Sequence, residues 1–130
     1  MNEFTVQSKS RTAFIDITLA VQQFAAGKGM KDGVITVFVP HTTAGVTINE
    51  NADPDVTADM ETVLDRMVPW SGGYRHSEGN TAAHLKASLM GSSVQVIVKD
   101  GELRLGTWQS IYFCEFDGPR TRQVWLKELV

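Results

Sequence analysis

Residues 93–101 read SVQVIVKDG. The first seven predict a β-strand, and Asp100-Gly101 is a dipeptide that reverses a chain in a tight two-residue hairpin. Strands joined that way run antiparallel. Upstream, GVITVFVP (33–40) is nearly all apolar and β-branched, the pattern of a buried strand. Pro40 cannot donate to a ladder, so that strand ends there, and His41 follows at once. GVTINE (45–50) alternates, with Val46 and Ile48 facing one way and Thr47 and Asn49 the other.

Working outward, residues 3–8 and 12–17 are two short strands. Thr18 is the expected N-cap of a helix over 19–27, with Val21, Phe24 and Ala25 on one face and Gly27 and Gly29 as its stop. Asp53-Pro54 opens a second helix: a cap, then proline at the first helical position. Val56, Met60, Val63, Leu64 and Met67 form its apolar stripe, so it runs to 67. Residues 69–79 are a glycine-rich loop. A third helix over 81–89 is expected to turn Leu85 and Leu89 inward and to stop at Gly91. A strand over 107–116, a turn at Asp117-Gly118-Pro119 and a strand over 120–128 complete the order β-β-α-β-β-α-α-β-β-β-β. Connections this short predict an α+β fold, mainly an antiparallel β-sandwich with helices on one side.

The 130 residues are expected to form a single domain, 1–130. A net charge of -3 leaves no basic footprint, so nucleic acid is not an expected partner. Cys114 is the only cysteine, so there is no disulfide framework, which fits a reducing, cytoplasmic setting. The N-terminus MNEFTVQSKSR has no apolar signal region, and no run approaches the ~20 residues of a membrane span.

The chemistry sits in three polar runs. The histidines are His41, at the end of a buried strand, His76, in the loop, and His84, in the first turn of a helix. The helix dipole there disfavours an imidazolium, which leaves His84 neutral, the form that binds metals. Three neutral imidazoles with an open fourth position are a catalytic zinc set. Glu78 could add a ligand or act as a base on water. The alternative is one satisfied core histidine and two at the surface. The Gly79-Asn80-Thr81 corner either binds an anion with free backbone N–H groups, or Asn80 or Thr81 caps the helix. Ser88, one turn after His84, packs small against a strand or donates one hydrogen bond. Asp55, Asp59, Thr62 and Arg66 share a solvated helix face. Asn49, Glu50 and Asn51 interrupt an apolar strand where side chains can orient a ligand or a divalent cation.

In GTWQSIYFCEFDGPRTR (106–122), Gln109, Ile111, Phe113, Glu115 and Asp117 share one strand face, with Trp108, Tyr112 and Cys114 on the other. Arg120 and Arg122 either clamp a phosphate or carboxylate, or form an ion-pair ladder with Glu115 or Asp117. Cys114, in an aromatic strand, is a small buried hydrophobe.

HTTAGVTINEN (41–51), the Asp53–Asp59 segment, HSEGNTAAHLKASLMG (76–91) and the 106–122 run together resemble the YjbQ-like family, over nearly the whole chain. Those proteins are often labelled secondary thiamine-phosphate synthase. The resemblance implies a compact α+β subunit with a sheet sandwich, assembled as a homotrimer. It carries function onto His41, His76 and His84, with Glu78 and Asn80 between them, onto Asn49 and Glu50, and onto Gln109, Glu115, Asp117 and Arg120. Glu78, Glu50 and Asn80 are then the expected catalytic groups. His41, His76 and His84 are the expected ligands of a divalent metal, zinc or magnesium. Asn49, Ser88, Gln109, Glu115, Asp117 and Arg120 are expected to bind a small phosphorylated substrate.

Three functions follow. The first is an enzyme of thiamine-phosphate synthase type, joining hydroxymethylpyrimidine pyrophosphate to a thiazole phosphate with release of pyrophosphate. The second is a metal-dependent hydrolase with zinc on the three histidines and Glu78 activating its water. The third is a non-catalytic trimeric module that holds a metal or anion.

Overall fold

Asp100 and Gly101 take the left-handed conformation, with φ of 52° and 81°, and turn strand β5 (Ser93–Lys99) into the two-residue β6 (Glu102–Leu103). The remaining elements are β1 (Glu3–Gln7), β2 (Ala13–Asp16), α1 (Thr18–Gly27), β3 (Asp32–Phe38), β4 (Ala44–Glu50), α2 (Pro54–Met67), α3 (Thr81–Met90), β7 (Gln109–Glu115) and β8 (Thr121–Leu129). Their order is the expected one. This computed structural model describes residues 2–130; Met1, which the expected domain includes, lies outside the described residues.

All strand pairings are antiparallel and they build two sheets, β1-β8-β3-β5-β6 and β2-β7-β4. The fold is α+β, as the short connections predict. Ile35, Val37, Val96, Val98, Val124 and Leu126 of the larger sheet pack onto Val46, Ile111 and Phe113 of the smaller. Val21, Phe24 and Ala25 of α1 close the same core. Each Val, Ile, Leu or Phe side chain among them, fully buried, contributes about 1.5–3 kcal/mol. The second face of β7 carries Tyr112 and Cys114, which pack with Phe116 against Leu64 of α2 and Ala83 and Ala87 of α3. A strand covered on both faces has no polar row to show, hence the unbroken IYFC.

Three local expectations are corrected. Thr18 does not cap α1 but begins it. Its hydroxyl accepts the Ile111 N–H at 2.9 Å, and the Asp16 carboxylate instead accepts the Thr18 N–H at 2.9 Å. Leu85 and Leu89 do not face inward; they are exposed, while Ala82, Ala83, Lys86 and Ala87 are buried. The cause lies in β4. A Cβ at Gly45 would stand 2.6 Å from the Gly91 carbonyl oxygen and 3.3 Å from that of Ala87, so α3 sits directly on the strand. The face of α3 turned to the sheet therefore carries the small Ala83 and Ala87, which pack on Tyr112, Cys114 and Phe116. Along α2, Leu64 is buried as expected, but Val63 and Met67 are exposed. Asp53 caps this helix as expected, accepting the Asp55 N–H at 2.9 Å behind Pro54.

Among the described residues, no helix is long and apolar enough to cross a membrane.

Candidate functional site

Three loops meet at one end of the sandwich. Pro40 ends β3 and puts His41, Thr42 and Thr43 into the turn toward β4. Gly79, with φ of 75°, turns the 76–79 loop into α3. The third loop joins β7 to β8 through a cis Gly118-Pro119 bond. It lies so close to the N-terminal segment that a Cβ on Gly118 would fall 2.2 Å from the Ser10 carbonyl oxygen.

The loops enclose a cleft of about 350 Å³ whose walls include His41, His76, Glu78, Asn80, His84 and Arg120. A neighbouring cleft of about 460 Å³ is lined by Thr42, Ser88 and Ser92 among others, and shares His41, Thr42 and His84 with the first. The His76 and His84 rings stand edge to face, with centroids 5.3 Å apart. A Glu78 carboxylate oxygen lies 3.7 Å from His76 Nε2.

Beneath the clefts runs a buried charge network. Glu115 is fully buried and accepts from Arg122 Nε at 2.9 Å and from Ser8 Oγ at 2.7 Å. Arg122, also buried, donates through Nη2 to the Glu115 carboxylate and to Thr43 Oγ1, the latter at 2.8 Å. Burial alone would raise the Glu115 carboxyl; the hydrogen bonds from Arg122, the Asp117 amide and Ser8 outweigh it and hold the group below its ordinary range. Arg120 is exposed and pairs with Asp117 at 3.0 Å. The ladder between the two arginines and the two acids is therefore present, and of the pair only Arg120 keeps a guanidinium open to a ligand.

Asn80 stands at the N-cap position of α3, but its side chain makes no capping bond. It donates through Nδ2 to Asp117 at 2.8 Å, while its Oδ1 and the Thr81 hydroxyl are buried without a partner among the described residues. Ser88 is exposed and donates to the His84 carbonyl at 2.9 Å, the single-bond alternative.

The first and second polar runs thus converge with the 115–122 turn. Asn49, Glu50 and Gln109 do not join them. Ala44 pairs with Glu115 near the cleft, whereas Glu50 pairs with Gln109 at the other end of the ladder. Six residue steps of extended strand carry the chain roughly 20 Å. At that far end Tyr112 donates to Asn51 Oδ1 at 2.6 Å, and Asn51 donates to Asp16 at 2.7 Å. Ser8 and Thr43 were missed as supports of the site; the only signal was a hydroxyl pair beside His41.

A three-histidine zinc set needs a free lone pair on each ring. His41 Nε2 already accepts the Gln123 backbone N–H at 2.9 Å. Burial, then the Arg122 guanidinium, hold the His41 imidazole below its ordinary range. No group of three or more His, Cys, Asp or Glu able to hold a metal occurs among the described residues. The expected ligand set is not assembled within one chain in this geometry.

Set against known proteins, the architecture is shared. The family model described as UPF0047 protein YjbQ-like matches residues 2–129. The chain belongs to the YjbQ-like (UPF0047) family. It is 54% identical over 123 residues to the UPF0047 protein YugU of Bacillus subtilis, covering 94% of this chain and 93% of that protein. It is 36% identical over 114 residues to the UPF0047 protein YjbQ of Escherichia coli, covering 85% and 83%. A crystal structure of an uncharacterized conserved protein of the YjbQ/UPF0047 family from Clostridium acetobutylicum superposes with a TM-score of 0.96, at 55% identity over 98% of each chain. The resemblance of the three polar runs to YjbQ-like proteins is thereby established at the level of the family.

Proposed function

We propose that the chain is a small-molecule enzyme of thiamine-phosphate synthase type. The observation that carries this reading is the pair of clefts that share His41, Thr42 and His84. A joining reaction needs two substrates held against each other, and two adjoining pockets with a common wall supply that proximity. The pyrophosphate ester would occupy the cleft with Arg120, and the thiazole phosphate the cleft with Ser88 and Ser92. The thiazole nitrogen lone pair attacks the methylene carbon of the pyrimidine, forming the C–N bond. The C–O bond breaks and pyrophosphate leaves with its electron pair. Arg120 and the imidazole N–H groups meet the charge that develops on the leaving oxygens.

The test is direct. Purified protein incubated with both substrates should release pyrophosphate and form thiamine phosphate, and Arg120→Ala and His84→Ala should each slow this at least tenfold. Pyrophosphate release without the coupled product would favour the second reading, hydrolysis. The approach of Glu78 to His76 Nε2 supports that one, since a carboxylate beside an imidazole can activate water. Binding of both substrates without turnover would leave a non-catalytic module.

A homotrimer belongs to this reading. Exposed Val63, Met67, Leu85 and Leu89, beside a groove lined by Val56, Met60, Leu64 and Met90, are apolar surface that a neighbouring copy could cover. A subunit contact is also a route by which Asn49, Glu50 and Gln109 could reach a cleft. Native mass spectrometry showing a monomer at micromolar concentration would remove this part.

A further inference from the structure

His41 has a backbone task that determines what its ring can offer. The β3–β8 ladder ends with Phe38 opposite Trp125. Two more steps of that register would set Pro40 against Gln123. The Gln123 N–H, with no strand partner there, meets His41 Nε2 at 2.9 Å. The imidazole takes the place of a carbonyl in the ladder, eighty-two positions along the chain.

An imidazole nitrogen that accepts an N–H hydrogen bond must be the unprotonated one, because two donors cannot face each other at that distance. The geometry therefore sets Nε2 bare and puts the ring proton on Nδ1. Among the described residues nothing accepts from Nδ1. The ring is half-buried and lines both clefts. Its neighbours include Thr43, pinned by buried Arg122 through a 2.8 Å hydrogen bond, so the loop that carries the ring is itself held.

We propose that His41 is a tautomer-locked hydrogen-bond donor, presenting Nδ1–H to an anionic oxygen of the substrate, phosphoryl or carboxylate, rather than a metal ligand or a general base. This rests on the reading of the paired clefts as the substrate site. A metal ligand would need the lone pair that Gln123 occupies. A general base would need a bare nitrogen toward the substrate, and the ring turns its protonated one there. Such a donor costs no reorganisation when negative charge develops on its partner.

Long-range proton–nitrogen correlation spectra of the ¹⁵N-labelled full chain at neutral pH read the tautomer of each histidine directly. His41 should show a protonated Nδ1 and a bare Nε2. One equivalent of Zn²⁺ should leave its signals in place, and inorganic pyrophosphate should move its Nδ1 signal. His41→Gln can keep an acceptor for the Gln123 N–H in its amide oxygen but places no N–H where Nδ1 stands. It should fold as the parent does by circular dichroism and bind pyrophosphate about tenfold or more weakly, the loss expected for one hydrogen bond to a charged group. A protonated Nε2, or His41 signals displaced by Zn²⁺, would overturn the assignment. If pyrophosphate moves no histidine and binds the parent and Arg120→Ala alike, the clefts are not its site. The donor role then falls with that reading, whatever the tautomer.

Discussion

Asn80 and Asp117, thirty-seven positions apart, are joined by a 2.8 Å hydrogen bond from Nδ2 to Oδ2. The same oxygen accepts from Arg120 Nη2 at 3.0 Å. One carboxylate thus ties the start of α3 to the turn before β8 and aims the exposed guanidinium at the cleft.

Asp117→Ala should act on both. Asn80 is buried, and its amide would lose its partner, which costs about 1–3 kcal/mol. The urea midpoint should fall without a change in slope, and pyrophosphate affinity should fall with it as Arg120 loosens. An unchanged midpoint would mean that the bridge holds nothing.

The Glu115–Arg122 pair predicts an acid limb to stability. The folded carboxyl lies below its ordinary 4.5, because hydrogen bonds from Arg122, Asp117 and Ser8 outweigh burial. Its contribution is therefore whole above that value and is lost as pH falls through the lower folded one. Glu115→Gln should flatten that limb. It should also cost roughly 3–5 kcal/mol at neutral pH, since Arg122 stays buried without its counter-charge. Equilibrium unfolding of both proteins from neutral to acid pH checks the two effects together.

His41 predicts a second, milder window at higher pH. Burial and Arg122 lower its folded pKa beneath 6.5, so the unfolded chain binds the proton more readily. Stability should fall as pH drops from 6.5 and level off below the folded value. His41→Gln should lose this step and keep the Glu115 one.

Gly45→Ala tests how α3 is seated. The added methyl would meet Gly91 backbone oxygen at 2.6 Å and Met90 Cβ at 3.2 Å, neither of which is the end of a flexible side chain. The helix must lift, at a cost of about 1–3 kcal/mol. His84 rides on that helix, so ligand affinity should drop as well. A variant with parental stability would show that α3 is not set by this contact.

Cys114 should be inert in the folded protein. Burial pushes its thiol up to about 12 and leaves it without solvent access. An aromatic disulfide reagent should label no thiol in native buffer and one per chain in denaturant; rapid native labelling would contradict the packing.

Local chemistry was legible in the residues. Asp100-Gly101 and Asp53-Pro54 carry their geometry with them. Two things were not local. Leu85 and Leu89 were expected inside because periodicity identifies a stripe but not its partner. The partner, Gly45, lies forty positions away, and the backbone of α3 comes down on it at Ala87 and Gly91. The three polar runs were expected to share one site, and His41, His76, His84 and Arg120 do meet. Asn49, Glu50 and Gln109 belong to the same polar runs in sequence, but extended strands put them at the far end of the ladder. Likewise a histidine's composition says nothing about which of its nitrogens the fold consumes.

β8 lies between β1 and β3, yet a ribosome makes it after both. The residues that complete the cleft, Arg120, Arg122 and the Gln123 N–H that sets His41, all arrive with it. A nascent chain carries His41 long before the strand that orients it. Until then an open slot between β1 and β3 exposes two strand edges to any other chain at hand. Completion of the cleft and closure of that slot therefore both wait for β8.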